Sequence, residues 1–340
     1  MKTFSSLYHP LKIGTAEVPG NIFLAPLAGY TDRAFRSVCV DMGADLTYTE
    51  MVSCEALVRG SEKTGDLLEQ ADNEERYAVQ LFSGNAATAA EAVRMVHPRR
   101  PVLIDLNCGC PVPKIIKSGA GSALMKSPDT IADIVRAMKD NTDIPVTVKI
   151  RTGWDAHSLN YMEAAEKAVR AGAALVTMHA RTRSQGYGGT AAWEHLKHLK
   201  EELGEIPVLG SGDLFKPDDI RRMLEETGID GVMLARGAIG NPFLFRETRT
   251  YLQTGTLLPP PAPEEKMEVA FRQLKLAVGY KDERTAVNEM KKQMCAYTKG
   301  LPGSSEIRNR MVHSESYDDY ERIFRDYMEH LAREKRERPL

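Results

Sequence analysis

Eight short runs of apolar, mostly β-forming residues alternate with amphipathic helical stretches, and this alternation is the strongest constraint on the fold. The runs cover 21–27, 46–52, 77–82, 101–106, 145–151, 174–179, 206–210 and 231–235. Between them apolar residues recur at spacings of three and four, as from Thr130 to Met138 and from Tyr161 to Ala171, which is the period of an amphipathic helix. Eight strands, each followed by a helix, predict an α/β protein of the (β/α)8 TIM-barrel type.

A doubly wound open sheet is the alternative arrangement for such a pattern. Its usual sign is a G-x-G-x-x-G turn after the first strand. The first run is followed instead by Leu24-Ala-Pro-Leu-Ala-Gly29, which lacks that spacing. The barrel is therefore the favoured fold.

A proline-rich segment follows the eighth helical stretch. Residues 254–263 contain four prolines, and neither a helix nor a sheet continues through such a run. Beyond it, residues 264–340 show helical patterns, the clearest from Tyr317 to Arg333, and almost no β-rich run. We expect a barrel over 1–253, a linker over 254–263, and a small all-α helical-bundle domain over 264–340.

The composition fits an ordinary globular enzyme, with 42% hydrophobic and 27% charged residues. No stretch approaches eighteen uninterrupted apolar residues, and the first ten lack the apolar centre of a signal peptide. Five cysteines are an odd and sparse set, which favours free thiols in a reducing cytoplasm over a disulfide framework. The net charge of −2 does not attract nucleic acid globally, so a nucleic-acid partner requires a local basic patch.

The fourth run ends in Leu106-Asn-Cys-Gly-Cys-Pro111. Polar residues at the carboxyl end of a barrel strand are where such folds carry chemistry. Gly109 permits an unusual turn and Pro111 ends the strand, so Asn107, Cys108 and Cys110 can project into a pocket. A thiol there can act as a nucleophile, a metal ligand or an acid. The alternative is that the cysteines only fill the core. Without a second Cys/His pair at suitable spacing, we expect no metal.

The other strand ends add a cation, an amide and two glycine-rich turns. The residues are Pro26, Leu27 and Ala28 after the first run, Gln80, Lys149 and His179 in later runs, and Ser211, Gly212, Asp213, Ala235 and Arg236 in the last two turns. Glycine-rich turns after the seventh and eighth strands are the usual phosphate site of a barrel. A lysine, an amide and small apolar residues suit a flavin ring, whose reduced form is anionic. The pattern therefore predicts a planar cofactor that bears a phosphate, with Cys110 facing it.

These motifs resemble the tRNA-dihydrouridine synthase family, most closely its bacterial B-type branch. The segments that carry the resemblance are Ala25–Asp32, Leu106–Pro111, Val148–Gly153, His179–Arg183, Gly237–Pro242 and Gly300–Gly303. The resemblance implies an FMN-dependent enzyme that reduces the carbon 5=carbon 6 bond of particular uridines in tRNA, with NADPH re-reducing the flavin. No protein partner is implied.

The resemblance also implies roles for single residues. Cys110 would donate the proton to carbon 5, reduced FMN would deliver hydride to carbon 6, and Asn107 would orient the uracil. FMN would be held by Pro26, Leu27, Ala28, Gln80, Lys149, His179, Ser211, Gly212, Asp213, Ala235 and Arg236. The target uridine would have to leave the base stack. Ala180, Ser211, Ala235 and Ala296 depart from the commonest family residues, as does Met290–Gln293.

Residues 264–340 carry nearly balanced charge, so tRNA contacts must depend on how the charges are distributed. One candidate face contains Lys291 and Lys292, two turns from Lys299 on a predicted helix, and continues to Arg308 and Arg310. With Arg181 and Arg183 at the barrel mouth, these residues are the predicted phosphate contacts. The alternating run 333–338 is instead typical of a solvated helix end.

Two other functions share part of this pattern. A flavin barrel of the dihydroorotate-dehydrogenase kind would have the lysine and the phosphate turns, but would need neither the helical segment nor the Cys-Gly-Cys-Pro turn. An RNA-binding protein with an inactive barrel would not need Asn107, Cys110, Lys149 and His179 together.

Overall fold

The computed structural model describes residues 6–337. Residues 1–5 and 338–340, with Arg338 and the outer ends of the predicted barrel and helical segments, lie outside the described residues. The strands are β1 (Leu11–Ile13), β2 (Ala16–Val18), β3 (Ile22–Leu24), β4 (Leu46–Tyr48), β5 (Val52–Ser53), β6 (Tyr77–Phe82), β7 (Leu103–Asn107), β8 (Val146–Arg151), β9 (Val176–His179), β10 (Val208–Ser211) and β11 (Gly231–Leu234).

Fourteen α-helices lie in this described range. They are α1 (Arg33–Asp41), α2 (Cys54–Val58), α3 (Glu62–Asp66), α4 (Ala86–Val96), α5 (Pro113–Lys117), α6 (Pro128–Lys139), α7 (Tyr161–Arg170), α8 (Glu194–Leu203), α9 (Pro217–Thr227), α10 (Phe243–Thr254), α11 (Pro263–Tyr280), α12 (Glu283–Tyr297), α13 (Ser304–Val312) and α14 (Tyr317–Glu337). No helix within residues 6–337 is both long and apolar enough to span a membrane.

Eight parallel strands close into a barrel, which confirms the predicted fold. The order around the barrel is β4-β3-β11-β10-β9-β8-β7-β6, and pairing of β4 with β6 closes the ring. The first two predicted strands are shorter than expected: β3 ends before Pro26, and the run 46–52 divides into β4 and the two-residue β5. Proline lacks the N–H that a ladder needs, which explains the early end of β3.

The register of the ladders brings the predicted polar residues together. Asn107 is paired with Lys149, Arg151 with His179, and His179 with Ser211. Since the strands are parallel, all these residues lie at the same carboxyl-terminal edge. The barrel thus gathers residues more than a hundred positions apart into one rim.

A β-hairpin that the sequence pattern did not reveal closes the opposite end of the barrel. Strands β1 and β2 pair antiparallel around Gly14, whose φ of 59° suits a tight turn. Leu11, Ile13 and Val18 belong to the same apolar cluster as the barrel-interior residue Phe23. The barrel is therefore open only at the rim that carries the polar residues.

The C-terminal helices pack directly on the barrel. Their apolar cluster includes Ala34 and Val38 of α1 and Phe243 of α10 alongside Leu274 and Tyr297. An ion pair between Lys281 and Asp32, 2.8 Å apart, reinforces the contact. The irregular segment 255–262 joins α10 to α11. The helical region is thus fixed against the barrel by a shared core rather than only tethered to it.

Candidate active site

A cavity of about 660 Å3 opens at the carboxyl-terminal rim of the barrel. It brings together most of the predicted site residues: Pro26, Leu27, Ala28, Asn107, Cys110, Lys149, His179, Ser211, Gly212, Asp213, Ala235 and Arg236. Residues Ala296 and Lys299 of the helical region also line it. The site therefore has walls from both parts of the chain.

The turn after β7 holds Cys110 in the cavity wall. The Asn107 side-chain oxygen accepts hydrogen bonds from the backbone N–H groups of Gly109 (3.1 Å) and Cys110 (2.9 Å). From the other side, Arg151 Nε donates to the Gly109 carbonyl at 2.7 Å. A Cβ on Gly121, where φ is 60°, would lie 2.8 Å from the Cys110 carbonyl oxygen, so this position requires glycine. The turn is clamped on three sides.

The two cysteines of the motif have different environments. Cys108 is fully buried among apolar core residues, whereas Cys110 lines the cavity. Burial raises the pKa of the Cys110 thiol, and the nearby charges of Arg151 and Lys149 only partly oppose this effect. The thiol is therefore protonated at neutral pH. That state suits a proton donor and does not suit a nucleophile or a metal ligand.

A cationic wall adjoins Cys110. Burial, and then the like charge of Arg151, lower the pKa of Lys149 to about 8, so its ammonium is still mostly charged at pH 7. Burial and the neighbouring cations, Lys149 first, hold the pKa of His179 well below its usual value. The imidazole is neutral and can donate or accept a hydrogen bond. Lys149 thus supplies positive charge to the cavity, and His179 supplies a neutral polar group.

The turns after β10 and β11 form a narrow cradle. A Cβ on Gly212, whose φ is 125°, would lie 2.8 Å from the Cβ of Ala191, and one on Gly237 would lie 2.0 Å from the Leu214 carbonyl oxygen. Glycine lets the backbone approach closely at both turns. The Arg236 guanidinium lies 4.5 Å from the Tyr187 ring centroid, between that ring and Phe215. A cationic side chain beside two tight turns suits an anion such as phosphate.

Gln80, Arg181 and Arg183 do not line the cavity. Gln80 is fully buried below it and binds Asn107 and Asp105. Arg181 is buried and its guanidinium contacts both carboxylate oxygens of Asp213, at 2.7 and 2.8 Å. Contacts of Gln80 with a cofactor and of Arg181 with RNA stay predictions, and the latter would require release from Asp213. Arg183 lies 4.6 Å from the Trp154 ring centroid.

The predicted basic face of the helical region is divided in the structure. Helix α12 ends at Tyr297, so Lys299 lies beyond the helix and lines the cavity instead of continuing the side that carries Lys291 and Lys292. Lys292 lies over the ring of Tyr30, 4.5 Å from its centroid. Arg310 is paired with Asp326 at 2.5 Å. The expectation that Lys291, Lys292 and Lys299 share one helix side is therefore wrong.

Several residues of the site were not singled out from the sequence. Tyr187 and Phe215 lie in loops, where no periodic pattern indicates orientation. Arg151 was noted as a cation near Lys149, but its hydrogen bonds to three carbonyl groups, in the 109 turn and at Thr182 and Gly186, were not foreseen. Asp105, a carboxylate within an apolar run, was a detectable signal because such residues are rarely buried without a partner.

Comparison with known proteins agrees with this geometry. The family profile for dihydrouridine synthase (Dus) matches residues 23–333. A probable tRNA-dihydrouridine synthase of Treponema pallidum (strain Nichols) is 45% identical over 94% of this chain and 97% of its own length. A tRNA-dihydrouridine synthase B of Xanthomonas campestris pv. campestris is 35% identical over 94% of this chain and 96% of its own length.

Solved structures share the fold at low sequence identity. Histamine dehydrogenase from Rhizobium sp. 4-9 has a TM-score of 0.53 and 14% identity, covering 81% of this chain and 51% of that one. A 2-naphthoyl-CoA reductase has a TM-score of 0.55 and 13% identity, covering 73% and 52%. This chain thus spans about half the length of those two proteins, and the likeness concerns the fold alone. The extent of the sequence matches shows that the chain belongs to the dihydrouridine synthase family.

Proposed function

We infer that the protein is a tRNA-dihydrouridine synthase that uses FMN and NADPH to reduce the carbon 5=carbon 6 bond of particular uridines. The observation that carries this inference is a protonated thiol, Cys110, in the same cavity as a lysine and a glycine-rich anion cradle. Family membership and the two relatives that are named for this activity support it.

The cavity residues fit FMN on three counts. Small neutral residues, Pro26 to Ala28, offer an apolar surface to a planar ring. Lys149 places a charge where an anionic reduced ring would be stabilised. The tight turns at Gly212 and Gly237, with Arg236, fit a phosphate. The residues that would hold FMN are Pro26, Leu27, Ala28, Lys149, His179, Ser211, Gly212, Asp213, Ala235 and Arg236.

The side chains of the Cys110 turn supply the remaining chemistry. When bound, reduced FMN supplies the hydride for carbon 6 of the uracil ring, and NADPH is the reductant that restores it. Cys110 holds a proton on Sγ that carbon 5 can receive, since its raised pKa keeps the thiol protonated. Asn107 donates one amide hydrogen to Gln80, which leaves the second for a uracil carbonyl.

A macromolecular substrate is supported by the helical region. Lys299 brings a cation from that region to the cavity wall, beside Ala296. Lys291 and Lys292 lie on α12, on the same side of the molecule as the Tyr30 loop that lines the cavity. Cations that extend outward from a base pocket suit the phosphates that flank an extruded nucleotide. We therefore assign tRNA binding to this surface, with Arg183 at the barrel mouth.

The test uses purified protein and unmodified tRNA transcripts. A yellow protein with flavin absorbance that forms dihydrouridine in tRNA only when NADPH is added, measured by nucleoside mass spectrometry, is the expected result. Free uridine and uracil serve as matched controls for small-molecule chemistry. A protein that lacks flavin, or that reduces only the free bases, would contradict the proposal and favour one of the two alternative functions.

A further inference from the structure

A chain of hydrogen bonds runs beneath the cavity floor and begins at Asp105. This carboxylate is fully buried inside the barrel. One of its oxygens accepts from Thr147 Oγ1 at 2.6 Å, and the other accepts from Gln80 Nε2 at 2.7 Å. Gln80 Oε1 in turn accepts from Asn107 Nδ2 at 2.7 Å. The chain ends where Asn107 Oδ1 accepts from the backbone N–H groups of the Cys110 turn.

The two ends of this chain fix its direction. An ionised carboxylate only accepts hydrogen bonds, and a backbone N–H only donates them. The two side-chain amides in between each have a donor end and an acceptor end. Only one orientation of both amides satisfies every link, and it points the Asn107 oxygen at the turn. The reverse orientation would place the Gln80 oxygen against the Asp105 carboxylate and the Asn107 NH2 group against two N–H donors.

A buried carboxylate needs a reason to be retained. Its desolvation opposes the charged form, and the pKa of Asp105 rises to about 6 despite its hydrogen bonds from Thr147 and Gln80 and the nearby Lys149. The chemistry derived above uses neither Asp105 nor Thr147. An apolar residue would fill the same space at lower cost, so the hydrogen-bonding function of Asp105 is the feature to explain.

We propose that Asp105 is a positioning residue that acts through Gln80 and Asn107 to fix the turn that presents the Cys110 thiol. The role of Cys110 as proton donor rests on the proposed function, whereas the fixing of its turn does not. Loss of the acceptor at Asp105 frees both amides to rotate, and the turn then loses its two side-chain hydrogen bonds.

The experiment compares three variants of the flavin-loaded protein. Asp105→Leu removes the acceptor. Asp105→Asn keeps an acceptor for Gln80, because the Thr147 hydroxyl can accept from the new amide. Thr147→Val removes the bond to the other carboxylate oxygen and leaves the chain to Cys110 intact. Single-turnover reduction of tRNA by pre-reduced enzyme should fall about tenfold or more in Asp105→Leu and by less than about threefold in the other two. Flavin content and tRNA affinity should stay unchanged in all three variants.

A double-mutant cycle with Cys110→Ala distinguishes positioning from a general structural role. If Asp105 acts through the turn, Asp105→Leu should add nothing to the slow residual rate of Cys110→Ala. Equal slowing of both backgrounds would overturn the proposal. Should Asp105→Leu fail to fold, Asp105→Asn decides alone: a loss of about tenfold or more would mean that the charge matters and the direction of the amide chain does not.

Alkylation of Cys110 gives a readout that is independent of activity. The rate of iodoacetamide labelling of this cysteine, measured by peptide mass spectrometry with buried Cys108 as an internal reference, should change several-fold in Asp105→Leu. It should stay near the wild-type rate in Thr147→Val and Asp105→Asn. Unchanged labelling in Asp105→Leu would overturn the proposal. Because labelling needs no substrate, it tests the turn even if the protein forms no dihydrouridine.

Discussion

Replacement of Lys149 by methionine should stabilise the flavin-free protein while weakening its hold on flavin. The two side chains have similar volume, so the main change is loss of the charge. In the folded protein the pKa of Lys149 is lowered from its usual 10.5 to about 8, chiefly by burial. At about 1.36 kcal/mol per pH unit, this difference corresponds to an upper limit of about 3 kcal/mol. Because the side chain faces an open cavity, we expect about 1–2 kcal/mol.

The pH dependence follows from the sign of this change. The folded-state pKa lies below the unfolded value, so between about pH 8 and 10.5 the unfolded chain binds more protons than the folded one. The ammonium therefore destabilises the fold fully below pH 8, and the cost disappears as the pH rises toward 10.5. Loss of Lys149 costs Asp105 little, because Lys149 is the smallest of the influences on the pKa of that carboxyl.

The assay is urea denaturation of flavin-stripped wild type and Lys149→Met at pH 7 and at pH 10. The variant should be more stable at pH 7, and its advantage should shrink at pH 10. Lys12→Met, on the exposed side of β1, is the control and should change neither value. Flavin affinity of Lys149→Met should fall about 10- to 100-fold, the value of one charged hydrogen bond. A variant less stable than wild type at both pH values, with unchanged flavin affinity, would refute this reasoning.

Three further changes test the fold and the RNA surface. Arg36→Met leaves the buried carboxylate of Glu74, now 2.8 Å from Arg36, without its partner and should lower the free energy of unfolding by about 3–5 kcal/mol in chemical denaturation; a change below 1 kcal/mol would contradict it. Gly240→Ala places a Cβ 2.5 Å from the Ala296 carbonyl carbon at a φ of 66°, and should destabilise the protein by about 1–3 kcal/mol by displacing α12, whereas unchanged stability would argue against that contact. In the variant with Lys291 and Lys292 both changed to Ala, the logarithmic dependence of tRNA affinity on salt should flatten by about one per lost phosphate contact, and an unchanged slope would remove α12 from the RNA surface.

The barrel could be predicted from sequence because its signal is repeated eight times. Each strand is a short apolar run, and the closed ring follows from their number. The β1–β2 hairpin was missed because each strand has only three residues, too few for an alternating pattern to be recognised. The early end of β3 was foreseeable from Pro26, which cannot donate to the neighbouring strand.

The residues of the site were predictable where they end a strand, and less so elsewhere. Asn107, Lys149 and His179 follow from their positions, since parallel strands end at one edge. Whether a side chain reaches the cavity depends on contacts that the pattern does not contain. Arg181 is turned away by its ion pair with Asp213. The link from Asp105 to the Cys110 turn also depends on tertiary contacts, because it passes through Gln80 on the neighbouring strand.

The most direct test of the account compares the two cysteines of one turn. Cys110→Ala and Cys108→Ala are matched changes two residues apart, one in the cavity wall and one in the apolar core. In single turnover with pre-reduced flavin and unmodified tRNA, Cys110→Ala should lose most dihydrouridine formation while it retains flavin and binds tRNA. Cys108→Ala should keep most of its activity. Equal rates for the two variants would contradict the role of Cys110 as proton donor, and with it the central claim about this site.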